Sequence, residues 1–592
     1  MHKFIFILIV MALNIVSAKE NLKDFNCDKM ILKAKDNQYV LKNLAALYAN
    51  RNCKDFVFES KNLTDLEKKI YKVKFDELDE NKKNDLSDSE SLETLKLKYK
   101  LAEWPIERFE AFKKLRQKYK LLGQKENSLN LIKNNHAEIS KLVKSKSKKI
   151  NQSYFDVYAD STSIYAKALW NNKQIEKAND IILKSLKIEG LKTNKYSLLF
   201  LKGKIEEDQL MFDAAIKSYD AALANYKLAK DQNMVSDKSF DVAKTEWSKT
   251  WIQYKNDNPE NTAISLKNII ESTTDPAEKS RALFFLSKIY KKLNKLAESK
   301  KALEDNISND FFSFYSLASY SELGKALPAL NSFVKNNVFI FDPELSFLNK
   351  ENKSLFLALS ENDEFDIADR ACTVLAKNNT ELVNMGLHLA EKNQYFNPLF
   401  LGYAKAKSTE KKDIFIKHSR LLFPEVHTDK VLEMSKKTNV DKSLIYSIMK
   451  QESGFNPESR SPANAKGLMQ VIPSLATSLA KKYSITDFKK PDDLYNPLVN
   501  IELGTYELKD QVARQNGQLS FVASAYNAGP GALKQWRDRE PIQDMFEFIE
   551  NIPYDETRTY VKIIARNMLF YQRLAAPDKE QVFPQDFIKI IN

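Results

Sequence analysis

Hydrophobic side chains recur at the i, i+3, i+4 spacing of a helix face through most of this chain, and short polar stretches interrupt them. Three segments repeat one plan: ALWNNKQIEKANDIILKSL at 168–186, EEDQLMFDAAIKSYDAAL at 206–223 and IYKKLNKLAESKKAL at 289–303. Each predicts helix, polar turn, helix, with small alanines where the two helices cross. No stretch alternates convincingly with the two-residue period of a strand, so the expected class is all-α.

Glycine divides the chain. Of the twelve, those at 123, 190, 203, 324, 386 and 402 are scattered, whereas the rest crowd into 454–531. A long, Leu-, Lys-, Ala- and Glu-rich first part with so few turn glycines predicts stacked helices on short connections. Its repeated pairs resemble degenerate tetratricopeptide-like units, which cannot bury their apolar faces alone and therefore stack into a curved superhelix. An irregular helical bundle is the other arrangement open to such pairs. The expected organisation is a superhelix over 19–359, a helical linker over 360–424 ending at Pro424, and a compact carboxy-terminal domain over 425–592. Residues 74–96, polar and nearly free of aromatics, predict an exposed connection.

Helix signals are legible in the last segment. Ser474 after Pro473 is a candidate cap for a helix through Tyr483. Asn496 and Pro497 start another that runs to about Gln515, and Leu519–Ala528 stops at Gly529. Glycine-bearing loops are expected at 454–473 and 527–532, where a polymer could approach the backbone closely.

The amino terminus, MHKFIFILIVMALNIVSAKE, places a basic residue before an apolar run and small residues at 16–18. This pattern predicts a signal peptide over 1–18, export to the periplasm and a mature start near Lys19. The run is short for a membrane span and no cysteine follows it to take a lipid, so no stable membrane insertion is expected. An uncleaved amino-terminal anchor is the alternative. In an exported chain Cys27 and Cys53 are plausible disulfide partners, and Cys372, inside IADRACTVLA, is expected to be a buried inert thiol. Five histidines and three cysteines offer no metal-ligand spacing, and neither metal nor cofactor is expected. A net charge of +13 suits nucleic acid, an anionic membrane or an acidic wall polymer, and export argues against nucleic acid. Much of that charge is interleaved with acids and belongs to solvated helix faces.

The chemistry concentrates in LIYSIMKQESGFNPESRSPANAKGLMQVI at 444–472. Ile445, Ile448 and Met449 share one helix face, and the next position on that stripe is Glu452. A carboxylate aimed where hydrocarbon points favours its neutral form, with a pKa rising from about 4.3 toward roughly 6, as a general acid requires. A helix-end glutamate turned into solvent would give the same periodicity.

QESGFNP, AKGLMQVIP, SAYNAGPGAL at 524–533 and ETRTYV at 556–561 resemble, in order and spacing, the motifs of the soluble lytic transglycosylase family. The resemblance covers roughly 430–575 in detail and extends to the first part only as architecture. It implies a lysozyme-like α domain behind an α-helical superhelix. It also implies cleavage of the β-1,4 bond between N-acetylmuramic acid and N-acetylglucosamine in peptidoglycan, leaving a 1,6-anhydromuramyl end. By that resemblance Glu452 is the sole catalytic carboxylate, acid in the first half-reaction and base in the second. Ser453 is expected beside Glu452 or the substrate acetamido group, Met469 and Gln470 along the sugar cleft with Gly467 giving backbone room, Tyr526 and Asn527 opposite Glu452, and Tyr560 on the catalytic carboxylate. Phe455 is a candidate for the apolar wall beside Glu452. Ordinary glycosidases need a second carboxylate at about 5 or 6.5–9.5 Å. Glu458, Asp487, Asp492, Asp493 and Glu556 all lack an apolar setting, which favours single-acid chemistry. The implied partner is the glycan strand, acted on by a monomer. Hydrolysis, as in goose-type lysozymes, and a non-catalytic wall-binding scaffold are the competing readings.

Overall fold

The computed structural model describes residues 26–591 apart from 39, 54–62, 72–90, 146–149, 192–194, 233–239, 257, 334–337, 462 and 540. The expected signal peptide and most of the polar connection at 74–96 lie outside the described residues. Among the described residues there are helices and isolated bridges but no strand, so the all-α expectation holds.

The three repeated segments are three helical hairpins: Gln152–Asn171 with Ile175–Leu186, Lys195–Asp208 with Phe212–Asp231, and Pro276–Lys292 with Leu296–Asn309. All three turn through a left-handed residue, Lys173 (φ 59°), Leu210 (φ 61°) and Asn294 (φ 58°). Gly123 (φ 68°) and Asp363 (φ 56°) occupy the same place in two further hairpins. The next N–H then reaches back five residues, as in Gln174 N–H to Leu169 O (2.9 Å) and Lys295 N–H to Tyr290 O (2.8 Å). This closure satisfies carbonyls that a helix end leaves open, and it offsets the cost of a left-handed side chain. Only one of these five turns uses glycine, which explains how so glycine-poor a chain can turn so often.

The amino-terminal helices do not stand apart. Met30, Leu41, Leu44 and Ile70 share a core with Phe356, Leu359, Ala368 and Cys372, so the start of the superhelix packs onto the helices between 350 and 393. Tyr48 donates to Glu364 at 2.8 Å and Arg370 to the Lys69 carbonyl at 2.7 Å. Cys27 and Cys53 are joined by a disulfide in this first layer, and Cys372 is a buried thiol whose pKa burial pushes well up.

A second core runs from the superhelix into the carboxy-terminal segment, joining Trp251, Phe285 and Tyr315 to Phe546, Ile564 and Phe570. Its polar centre is Glu550, 1 % exposed. Glu550 accepts from Tyr315 (2.5 Å) and Lys562 (2.9 Å) and pairs with Arg281 at 3.5 Å. Burial alone would raise this carboxyl, but Lys562, Arg281 and Arg558 hold it down at about 2. Two of its partners come from the superhelix and two from Asp555–Ala575, the longest helix of the last segment.

Two local expectations change. Ser474 is not a cap: helix Pro473–Tyr483 begins at Pro473 itself behind Ile472, because proline supplies a fixed φ and needs no N–H partner in the first turn. Residues 527–532 form a corner rather than a loop. Gly529 (φ 86°) ends Leu519–Ala528, and Pro530 immediately starts Pro530–Arg537.

Candidate active site

Helix Lys442–Ser453 is capped by Asp441, whose side chain accepts from Ser443 N–H, and stopped by Gly454 in the left-handed region (φ 58°). The positive φ is what requires glycine at 454; a side chain there would also displace the Asn397 amide, whose Oδ1 would lie 1.9 Å from its Cβ. Ile445, Ile448 and Met449 are fully buried, and Glu452 emerges half-buried one turn on, at the floor of a cavity of about 520 Å³.

Tyr560, on helix Asp555–Ala575, donates its hydroxyl to Glu452 Oε1 at 2.7 Å. Burial raises the Glu452 carboxyl to about 7; the Tyr560 hydrogen bond opposes the shift and the Glu556 charge adds to it. This carboxyl is therefore held near half-ionisation at neutral pH.

Gln470 and Asn527 line the same cavity. Gln470 (φ 50°) donates its amide to the carbonyls of Ser459 (3.0 Å) and Gly467 (2.9 Å), which fixes the turn it sits on. Asn527 Oδ1 accepts from Thr557 at 2.6 Å, tying the Leu519–Ala528 helix to the one carrying Tyr560.

Four expected site residues do something else. Ser453 does not reach Glu452: its hydroxyl serves the Leu468 and Met449 carbonyls (2.8 and 3.1 Å) and accepts from Phe455 N–H (3.1 Å). It therefore holds the turn after helix Lys442–Ser453. The Met469 side chain is fully buried, packed where a Cβ on Gly504 would meet its sulfur at 2.5 Å, and contributes only backbone to the site. Its carbonyl accepts the Tyr526 hydroxyl at 2.8 Å, so Tyr526 braces the wall instead of presenting a free hydroxyl to the cavity. Phe455 turns away from Glu452 and packs on Phe396, ring centroids 5.8 Å apart. A hydrophobic ring in a left-handed turn (φ 67°) is drawn to the nearest apolar surface, which here belongs to helix Asn397–Lys405 and its approach.

Gly467 provides room, but for protein. A Cβ there would lie 2.2 Å from the Leu494 carbonyl and 2.3 Å from Asn500 Nδ2. Asn500, fully buried, is a residue that motif reading missed. It accepts from Met469 N–H (2.7 Å) and donates to the carbonyls of Lys466 and Leu494 (2.8 Å each). The available signal was a polar residue between Val499 and Ile501 on an otherwise apolar helix start.

Glu556 lies in the first turn of helix Asp555–Ala575. Its sequence setting is polar and it stays exposed, yet it lines the cavity with Glu452. Its neighbour Asp555 is also on the rim, where Lys244 and Arg558 hold its carboxyl low despite partial burial. A second cavity of about 540 Å³ in the same segment carries no such chemistry, since its Glu502 is paired with Lys430 at 2.9 Å and held low. Among the described residues no group of His, Cys, Asp and Glu could hold a metal.

Residues 429–549 match the family described as the transglycosylase SLT domain. The soluble lytic murein transglycosylase of Salmonella typhimurium is 35 % identical over 156 residues, covering 26 % of this chain and 24 % of that protein. The Escherichia coli enzyme of the same name is 34 % identical over the same length. The matched segment thus spans about a quarter of the length of these relatives. In fold the likeness runs further. The lytic transglycosylase Slt of Pseudomonas aeruginosa superposes with a TM-score of 0.55 at 19 % identity, over 95 % of this chain and 93 % of that one. The 70 kDa soluble lytic transglycosylase of Escherichia coli gives 0.53 at 17 %, over 95 % and 88 %. Residues 429–549 are thus similar to the transglycosylase SLT domain, and the chain as a whole has the fold of the soluble lytic transglycosylases, a helical superhelix with this segment at its carboxy-terminal end.

Proposed function

We propose that this chain is a lytic transglycosylase that cleaves the β-1,4 bond between N-acetylmuramic acid and N-acetylglucosamine in peptidoglycan. The observation that carries this reading is Glu452, half-buried, raised to about 7 and held by Tyr560 in a cavity wide enough for a sugar ring. A carboxyl near half-ionisation at neutral pH can both give and take a proton without a large penalty either way. In the first step the Glu452 carboxylic acid protonates the glycosidic oxygen as the bond to the muramyl C1 breaks, and the glucosaminyl end leaves as an alcohol. In the second the Glu452 carboxylate takes the proton of the muramyl 6-hydroxyl while O6 bonds to C1. The ring closes, Glu452 is protonated again, and no water is consumed. Tyr560 orients the carboxyl, and Gln470, Asn527 and Glu556 offer polar contacts to the sugar.

The domain limits at 359 and 424 and export to the periplasm through residues 1–18 belong to the same reading. The superhelix serves it as a scaffold that brings the strand to Glu452.

The test is mass spectrometry of muropeptides released from purified sacculi by the mature protein and by Glu452→Gln. Anhydromuramyl ends from the wild type, with release by the variant reduced about 10²–10⁴-fold, support the reading. Reducing ends would instead mean hydrolysis, with the Glu556 carboxylate in the cavity as the group that orients water. Equal release by both proteins would remove Glu452 from the mechanism.

A further inference from the structure

We propose that Lys450, Arg566 and Tyr403 form a subsite for a carboxylate of the stem peptide carried by the glycan strand; the inference rests on the transglycosylase reading above. Lys450 Nζ lies 3.1 Å from the centroid of the Phe400 ring and 5.2 Å from that of Phe423. Arg566 stacks its guanidinium 4.7 Å from Phe312, and Phe312 in turn neighbours Phe423 (6.1 Å) and Tyr403 (5.3 Å). Two cations therefore share one aromatic enclosure at the back of the catalytic helix. Among the described residues neither makes an ion pair; Arg566 gives Nε and Nη2 to Asn567 Oδ1 (3.3 and 3.1 Å). The Tyr403 hydroxyl, on a residue only 7 % exposed, is buried without a hydrogen-bond partner.

A buried hydroxyl with no acceptor and two cations with no counter-ion are each costly, and one anion would satisfy all three. Asp310 is the neighbouring acid, but it faces Lys411 as well as Arg566 and accepts Phe312 N–H at 3.0 Å, so the group keeps an excess of positive charge. Burial and the nearby Arg566 hold the Lys450 pKa well below its usual range, and a carboxylate beside it would raise that pKa by favouring the charged ammonium.

Lys450 and Arg566 stand on two of the helices that line the Glu452 cavity. Thr559 lines that cavity, and Arg566, seven residues on, shares its helix face about 10 Å further along. Ile563 and Arg566 along this stripe, and Gln451 and Lys450 on the facing helix, all keep solvent contact. About 10 Å is the reach of roughly three extended residues, which fits a peptide branching from the muramyl ring. The guanidinium and ammonium suit its carboxylate and the phenylalanine rings its aliphatic carbons.

The experiment compares glycan strands bearing peptides with the same strands stripped by an amidase. Binding is measured to the non-cleaving Glu452→Gln chain, alone and with Arg566→Gln or Tyr403→Phe. Peptide-bearing strands should bind at least about 10-fold more tightly, with both added substitutions removing most of that difference and leaving stripped strands unaffected. Tyr403→Phe deletes only an unpartnered hydroxyl, so its effect cannot be charged to misfolding. Equal binding of the two kinds of strand, or equal loss on both, overturns the subsite. Wrong cleavage products from the wild type would overturn the transglycosylase reading and leave this binding result standing on its own.

Discussion

The Tyr560 hydroxyl donates to Glu452 Oε1 at 2.7 Å across the boundary between two helices that lie 108 residues apart in sequence. Burial and Glu556 favour the neutral acid while this bond favours the ionised carboxylate, so the residue's pKa is a balance of opposed influences.

Removing Tyr560's hydroxyl shifts that balance in a known direction. In Tyr560→Phe the Glu452 pKa should rise above about 7, and because the acid must be protonated to act, the alkaline fall of kcat/KM should move to higher pH. The lost orientation should also lower kcat/KM by about 10-fold at the optimum, equivalent to about 1.4 kcal/mol. A pH–rate profile on soluble strands reads both; an alkaline limb that stays in place would mean that another group controls it.

Glu556→Gln should act in the opposite sense. Without the like charge Glu452 ionises more readily, its pKa falls, and the alkaline limb moves to lower pH. Profiles of the two variants measured side by side should straddle the wild type.

Gly467→Ala should cost about 2–4 kcal/mol. It imposes a side chain at φ 76° and drives a Cβ to within 2.2 Å of the Leu494 carbonyl. Thermal unfolding should show the loss, and activity should fall with it because the Gln470 turn rests on the same contacts.

Glu550 links acid stability to the joint between superhelix and carboxy-terminal segment. Its folded pKa of about 2 lies below the unfolded value of 4.5, so its contribution is fully present above pH 4.5 and is lost as pH falls toward 2. The size is roughly 3 kcal/mol. Glu550→Gln leaves Lys562 and Arg281 buried without their carboxylate and should destabilise by about 3–5 kcal/mol at neutral pH. Denaturant titrations at pH 7 and pH 3 check both claims: the gap between wild type and variant should narrow at the lower pH.

The helices around the site were legible because their signals are local. The stripe Ile445, Ile448, Met449, Glu452 is a property of 3.6-residue periodicity, and Asn496 followed by Pro497 starts a helix whatever surrounds it. The repeated hairpins were legible for the same reason. Their turns were not, since Lys173 and Leu210 adopt a left-handed conformation that their chemistry does not announce. The directions of the Ser453 and Met469 side chains were not legible, because a motif states which residues occur together, not which way each points. The adjacent pair Ser453 and Glu452 is 100° apart on one helix, and only the packing of the 454–472 turn decides that the hydroxyl goes to a carbonyl and the carboxyl to the cavity.

Sequence alone determined the helical class, the pairing of helices into hairpins and the place of Glu452 at the end of an apolar stripe, because each follows from spacing along a single stretch of chain. Tertiary structure alone decided the joining of the amino-terminal helices to those after 350, the entry of Glu556 into the cavity, the Asn500 clasp and the Glu550 joint. Each of these depends on groups tens to hundreds of residues apart meeting in a desolvated place, where burial makes a hydrogen bond or a charge worth far more than its identity in the sequence conveys.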